Sequence, residues 1–228
     1  MKKQVIDLKK NCIENLNNIY EFKANTVFSY QFTEESIKGK KVTLINPITN
    51  KTITENELIQ ELESYKNNYL VTLSFQHTIN IFESWFFDLI KIILLNNPHR
   101  LNKKKKVDVE LILNNNLYEN IVEEIINSEI NEIKYKKPSE WFNYLNKFFN
   151  LNYPTKDEIL IISEIKASRD ILVHNQGIVN SIYLEKAGNI SRFKENELLE
   201  ITNDYFNESW QIIKEVVIGI SDKIIRKM

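Results

Sequence analysis

Val71, Phe75, Ile79, Phe82, Phe86, Leu89 and Ile93 follow one another three or four residues apart, the spacing that lines up one face of an α-helix. Thr54 and Glu57 upstream have the spacing of a capping box, and Pro98 downstream cannot continue a helix. One long helix is therefore predicted from about Thr54 to Asn96. So apolar a stripe has to be wrapped by other helices, and that demand governs the rest of the chain. A second side of the same helix carries Gln76, Asn80, Ser84, Asp88 and Lys91, with Glu83 beside Asn80. This side is either a solvated back or one wall of a cleft. Trp85, Phe86 and Phe87 read as core.

Further helical patterns are predicted over about residues 3–24, 107–134, 156–175, 178–187 and 196–228, with a short aromatic helix opened by Pro138. The first carries Val5, Leu8, Cys12, Leu16, Ile19 and Tyr20, and the last carries Phe206, Trp210, Ile213, Val217, Ile220 and Ile224. Only the β-branched runs flanking Asn46-Pro47-Ile48-Thr49-Asn50 read otherwise, as a small β-hairpin insertion near residues 42–54. All four prolines fall at or near predicted breaks. The expectation is an all-α helical bundle formed by residues 1–228 as a single domain, with 43% hydrophobic residues to fill its core.

Several chemistries are excluded by residue supply. Gly39, Gly177, Gly188 and Gly219 are the only glycines, too scattered for a phosphate-cradling loop. One cysteine, Cys12, excludes an internal disulfide framework and fits a reducing cytosol. His77, His99 and His174 lie far apart, without the spacing of a zinc site, so no metal and no cofactor is expected. The amino terminus lacks the apolar segment of a secretory signal, and the run from Leu89 to Leu95 is interrupted by Lys91 and too short to cross a bilayer. A cytoplasmic protein without a membrane partner is expected. The net charge of −1 leaves nucleic-acid binding to local patches. Arg100 with Lys103, Lys104, Lys105 and Lys106 is one such patch, either a solvated loop or a tether for a phosphate backbone.

The stretch Ser168-Arg169-Asp170-Ile171-Leu172-Val173-His174-Asn175-Gln176-Gly177 stands apart. Arg169 is one of four arginines and falls on the wheel among Ile159, Ile162, Ile165, Leu172 and Val173. A permanent charge on an apolar face is either paired inside the fold or turned toward a cleft that takes an anion. His174 occupies the last helical turn, where the helix dipole favours positive charge, and Gly177 sits where a left-handed cap ends the helix. The arginine, a polar residue, three further residues and a histidine, ending a helix in a nearly all-helical chain, resemble the signature of the HEPN superfamily. The continuation Gly177-Ile178-Val179-Asn180 is similar to the residues after that signature in bacterial members. The likeness is sharp over about residues 165–188; the hairpin and the lysine run have no counterpart in it.

That resemblance implies a helical bundle that forms a homodimer with the motif helices facing each other. It further implies a metal-independent endoribonuclease, of a toxin–antitoxin or phage-defence kind, acting on RNA and restrained by an antitoxin or other regulatory protein. Arg169 and His174 would be catalytic. Five residues separate them, roughly 140° around an ideal helix, which suits a cleft shared by two chains better than a site on one. Asp170, one turn before His174, is placed either to orient the imidazole or to raise its pKa. Asn175 either contacts phosphate or caps the helix. Asn80 and Glu83 are supporting residues, and Glu83 is also the natural partner if Arg169 is merely structural. The competing class is a non-catalytic module that binds RNA, a nucleotide or a protein in the same cleft.

Overall fold

The computed structural model describes residues 1–40, 43–46, 48–101 and 117–228. They are mostly helical, with one two-stranded sheet. Helix α1 spans Lys2–Ile37, well beyond the expected end near residue 24. The apolar periodicity stops after Tyr20, but nothing breaks the helix until Gly39, whose φ is +74°. Over the added turns Thr26, Ser29 and Thr33 return their hydroxyls to the carbonyls four residues back, and Phe28 and Phe32 stay exposed.

Strands β1 (Thr43–Ile45) and β2 (Thr52–Thr54) pair antiparallel with Leu44 opposite Ile53. Val42 and Pro47 of the expected hairpin lie outside the described residues. Thr54 then caps α2 (Glu55–Ser64), and the reciprocal bonds with Glu57 form the anticipated capping box. The long rod is not one regular helix. A single π-helical turn, Tyr65–Tyr69, separates α2 from α3 (Leu70–Asn96). There Lys66 is buried between Glu34 at 2.9 Å and Glu63 at 2.7 Å, which ties the upper half of α1 to the rod.

Helix α3 is the centre of the molecule. Val71, Phe75, Ile79, Phe82, Phe86, Leu89 and Ile93 are all buried, each contributing about 1.5–3 kcal/mol of hydrophobic stabilisation relative to exposure. Around it stand α1, α4 (Tyr118–Lys134), α5 (Pro138–Phe149), α6 (Lys156–His174), α7 (Ser181–Ala187) and α8 (Asn203–Lys227). The part of the expected helix at 107–116 lies outside the described residues. One continuous apolar cluster runs from Val5 to Ile224. Trp141 stacks on Phe86 and meets Phe87 edge-on, with its indole N–H on the Ile133 carbonyl, so these aromatics are core as expected. Helix α8 is bound to α1 by Trp210 donating to the Leu16 carbonyl and by the Lys9–Asp222 pair.

The helices expected to start at 178 and 196 both start later. Val179 N–H donates to the Glu197 carbonyl, Asn196 N–H to the Val179 carbonyl, and Leu199 N–H to the Gly177 carbonyl. The two segments thus satisfy each other's backbone groups in an extended pairing before Asn180 caps α7 and Thr202 caps α8.

Candidate functional site

Helix α6 is started by a capping box between Thr155 and Glu158 and stopped by two left-handed residues, Gln176 at φ 54° and Gly177 at φ 81°. Gly177 N–H closes back on the Ile171 carbonyl at 3.1 Å, six residues earlier, sharing that oxygen with the Asn175 N–H at 2.9 Å. The cap is thus shared by Gln176, not formed by Gly177 alone. Asn175 donates its side-chain amide to the Ile178 carbonyl. Of the two roles expected for it, the observed contact is the structural one.

Arg169 does not sit at the middle of the buried face. The buried side of α6 is Ile162, Ser163, Glu164, Ile165, Ala167, Ser168 and Ile171, whereas Val173 is 47% exposed. Tilted to the edge of that face, Arg169 reaches α3. Its Nη2 donates to Asn80 Oδ1 at 2.6 Å, its Nη1 donates to Asp170 Oδ1 at 3.1 Å, and Nη2 stands 4.0 Å from Glu83. Its Nε is buried and has no hydrogen-bond partner among the described residues. The Arg169–Glu83 pairing is therefore present only at the outer limit. Glu83 belongs instead to Lys166, whose Nζ is 2.7 Å away, held by charge more than by an aligned hydrogen bond. Lys166 also lies over the Trp141 ring.

Asp170 is the hub of this cluster, and it does not orient His174 as expected. Its carboxylate receives Arg169 and Lys166 on Oδ1, at 3.1 and 3.3 Å, and Lys186 of α7 on Oδ2 at 3.1 Å. Burial by itself would raise this carboxyl, but Lys166, Lys186 and Arg169 outweigh it and hold Asp170 below the usual carboxylate range. The structure thus brings Asn80, Glu83, Arg169 and Asp170 together. His174 stands outside the cluster, exposed in the last turn of α6, and no described residue hydrogen-bonds its imidazole.

The polar side of α3 lines open space. Clefts of about 330 and 400 Å³ flank it, and Asn80, Ser84 and Asp88 border both. Lys166 and Trp141 close one; Asn11, Asn15 and His77 close the other. Cys12 borders the second cleft, yet burial pushes its thiol up to about 12, which leaves it protonated and unreactive at neutral pH. Arg100 lies far along the chain from this cluster and is engaged otherwise, donating to the Phe148 carbonyl at 3.2 Å with its guanidinium over Phe149. Lys103, Lys104, Lys105 and Lys106 lie outside the described residues. Among the described residues no group of three or more His, Cys, Asp or Glu is placed to hold a metal ion, and no helix is long and apolar enough to cross a membrane.

A second polar assembly, behind the first, escaped sequence reasoning. Glu164 is 3% exposed and accepts from Ser168, Tyr183 and Arg192 on Oε1, at 2.8, 2.8 and 3.1 Å, while Tyr205 donates to Oε2. Burial, then the charge of Glu164, raises both the Tyr183 and Tyr205 hydroxyls, so they remain donors. Arg192 also lies over the Tyr205 ring. This network bonds α6, α7, the loop after α7 and α8 to one buried carboxylate. A signal existed: on the helical wheel Glu164 falls among Ile161, Ala167 and Ile171, on an apolar side of the helix, and Arg192 is another of the four arginines.

Compared with known proteins, the chain matches no family model, no curated protein and no solved structure.

Proposed function

We propose that the protein is a metal-independent endoribonuclease of HEPN type, working as a homodimer in which Arg169 and His174 meet across a shared cleft. One observation carries this reading: α6 holds an arginine clamped to the central helix by Asn80 at 2.6 Å and, at its end, a histidine open to solvent with no described partner. The clamped guanidinium suits a phosphate and the charge that develops on it. The open imidazole suits proton transfer.

In the reaction, one His174 takes the proton from a ribose 2′-hydroxyl as its oxygen attacks the adjacent phosphorus. Arg169 draws charge from the phosphate oxygens, and the 5′-oxygen leaves with a proton from an imidazolium. The products are a 2′,3′-cyclic phosphate and a 5′-hydroxyl end, and DNA is inert because it lacks the nucleophile. Two chains are needed because Arg169 faces α3 whereas His174 is displaced roughly 140° around the helix. Exposed Val173, next to His174 in the chain, and exposed Ile178 and Leu198 of the paired segments that follow supply apolar surface for such a contact. An activity of this kind fits a toxin or defence effector under the control of an antitoxin or another regulatory protein.

A second reading has its own support. Arg169 already has Asn80 and Asp170 as partners, which favours a non-catalytic module binding RNA, a nucleotide or a protein in the same place. The test is cleavage of single-stranded RNA in EDTA. Arg169→Ala and His174→Ala are each expected to lose cutting while keeping the wild-type sedimentation profile. Cutting that survives both changes would remove Arg169 and His174 as the catalytic pair, and no cutting by the wild type would leave only the second reading. Growth of expressing cells gives a parallel readout, poor with the wild type and normal with His174→Ala.

A further inference from the structure

We infer that Lys186 is a second phosphate-contacting residue, gathered by Asp170 with Arg169 and Lys166 into one anion site that spans α6 and α7 and takes the backbone of single-stranded RNA. The identity of the phosphate beside Arg169 rests on the nuclease reading; the anion site rests on its own geometry. Arg169 Nη1 lies 3.1 Å from one oxygen of Asp170 and Lys186 Nζ lies 3.1 Å from the other. Two donors from different helices therefore grip the two oxygens of one small anion. A phosphodiester presents a similar pair of anionic oxygens, so these donors already stand in the fork a phosphate requires.

Donors remain for it. Lys186 uses one N–H on Asp170, and Arg169 uses one on Asp170 and one on Asn80, out of three and five respectively. The local charge also allows it. Lys166, Arg169 and Lys186 stand against Asp170 and Glu83, which leaves an excess of one positive charge. The neighbouring Glu185 pairs with Lys137 at 2.7 Å and also feels the charge of Lys186; counted together with Lys137 it leaves that excess unchanged. Lys186 is the most open of the three cations, with a side chain 33% exposed against 15% for Lys166 and 18% for Arg169. The ligand therefore enters from the α7 edge. Asp170 acts as an internal counter-anion that holds the cations together and competes with the phosphate for their charge.

The experiment measures binding of the full chain to a 2′-O-methyl RNA oligonucleotide, which cannot be cut, by fluorescence anisotropy over a salt series. Lys186→Gln is expected to weaken binding and to reduce the slope of log K against log salt by about 0.7, the loss of one single-strand phosphate contact. Lys186→Arg is expected to restore the slope, which a purely structural role would not require. Asp170→Asn is expected to tighten binding, and by less when combined with Lys186→Gln. A wild-type slope in a folded Lys186→Gln protein, or no binding of the oligonucleotide by the wild type, overturns the proposal. Cleavage of unmodified RNA is followed in parallel. Binding that depends on Lys186 without any cutting would discard the nuclease and keep the anion site, whereas cutting with an unchanged slope would do the reverse.

Discussion

Asp170 decides the character of the cluster at the scale of single residues. A neutral residue in its place would remove the carboxylate that Lys166, Arg169 and Lys186 share, and those cations hold the carboxyl below its ordinary range. A group depressed in this way stabilises the fold above its unfolded value of about 3.9, and the contribution disappears as pH falls through the lower folded value. The melting temperature of Asp170→Asn should therefore lie below that of the wild type at neutral pH. The gap should narrow as pH drops below about 4, as followed by circular dichroism. Parallel acid limbs in the two proteins would show that the pairing contributes nothing. Arg169 and His174 were legible in the sequence because rare residue types stood at a helix end. The partners of Asp170 were not, since Lys186 is sixteen residues away along the chain and only a turn and a new helix return it to α6. Glu164 was hidden by the opposite problem. A charge within an apolar stripe announces burial but not the three elements that supply its donors.

At the scale of elements, apolar spacing was a good guide to which segments are helical and a poor guide to where they end. Helix α3 carried its whole predicted stripe into the core because each of those positions faces a packed neighbour. The late starts of α7 and α8 came from backbone bonding, which hydrophobic spacing does not encode, in the pairing of 177–179 with 196–199; α1 overran because its apolar spacing stops long before Gly39, the left-handed residue just past the helix end. Helix α8 offers a sharp test of its packing at Gly219. A Cβ there would stand 2.5 Å from the Tyr153 ring, so the usual gain of about 1 kcal/mol for replacing a helical glycine by alanine should be reversed. Urea denaturation of Gly219→Ala is expected to show a loss of about 1–3 kcal/mol, the range for overpacking. Pairing the change with Tyr153→Ala should make the alanine favourable again.

For the whole molecule, the proposed division of the candidate site between two chains makes a prediction that no single-chain site shares. Neither Arg169→Ala nor His174→Ala is expected to cut RNA alone. A mixed dimer retains one site with Arg169 from one protomer and His174 from the other. Unfolding and refolding the two inactive proteins together should therefore restore cutting, read on a gel as the appearance of product. Continued inactivity in a mixture shown to contain heterodimers would mean that each chain must supply both residues to its own site.

The sequence by itself determined that this is a helical chain built around one long, apolar rod, and it singled out the helix on which an arginine and a histidine stand. Helical periodicity, capping residues and prolines are local signals, and they suffice for that. Only the tertiary structure decided what surrounds the arginine: Asn80 from the rod, Lys186 from a later helix, Asp170 gathering the charges and Glu164 bonding the helices behind them. Those contacts join residues far apart in the chain, and their geometry follows from how the helices pack.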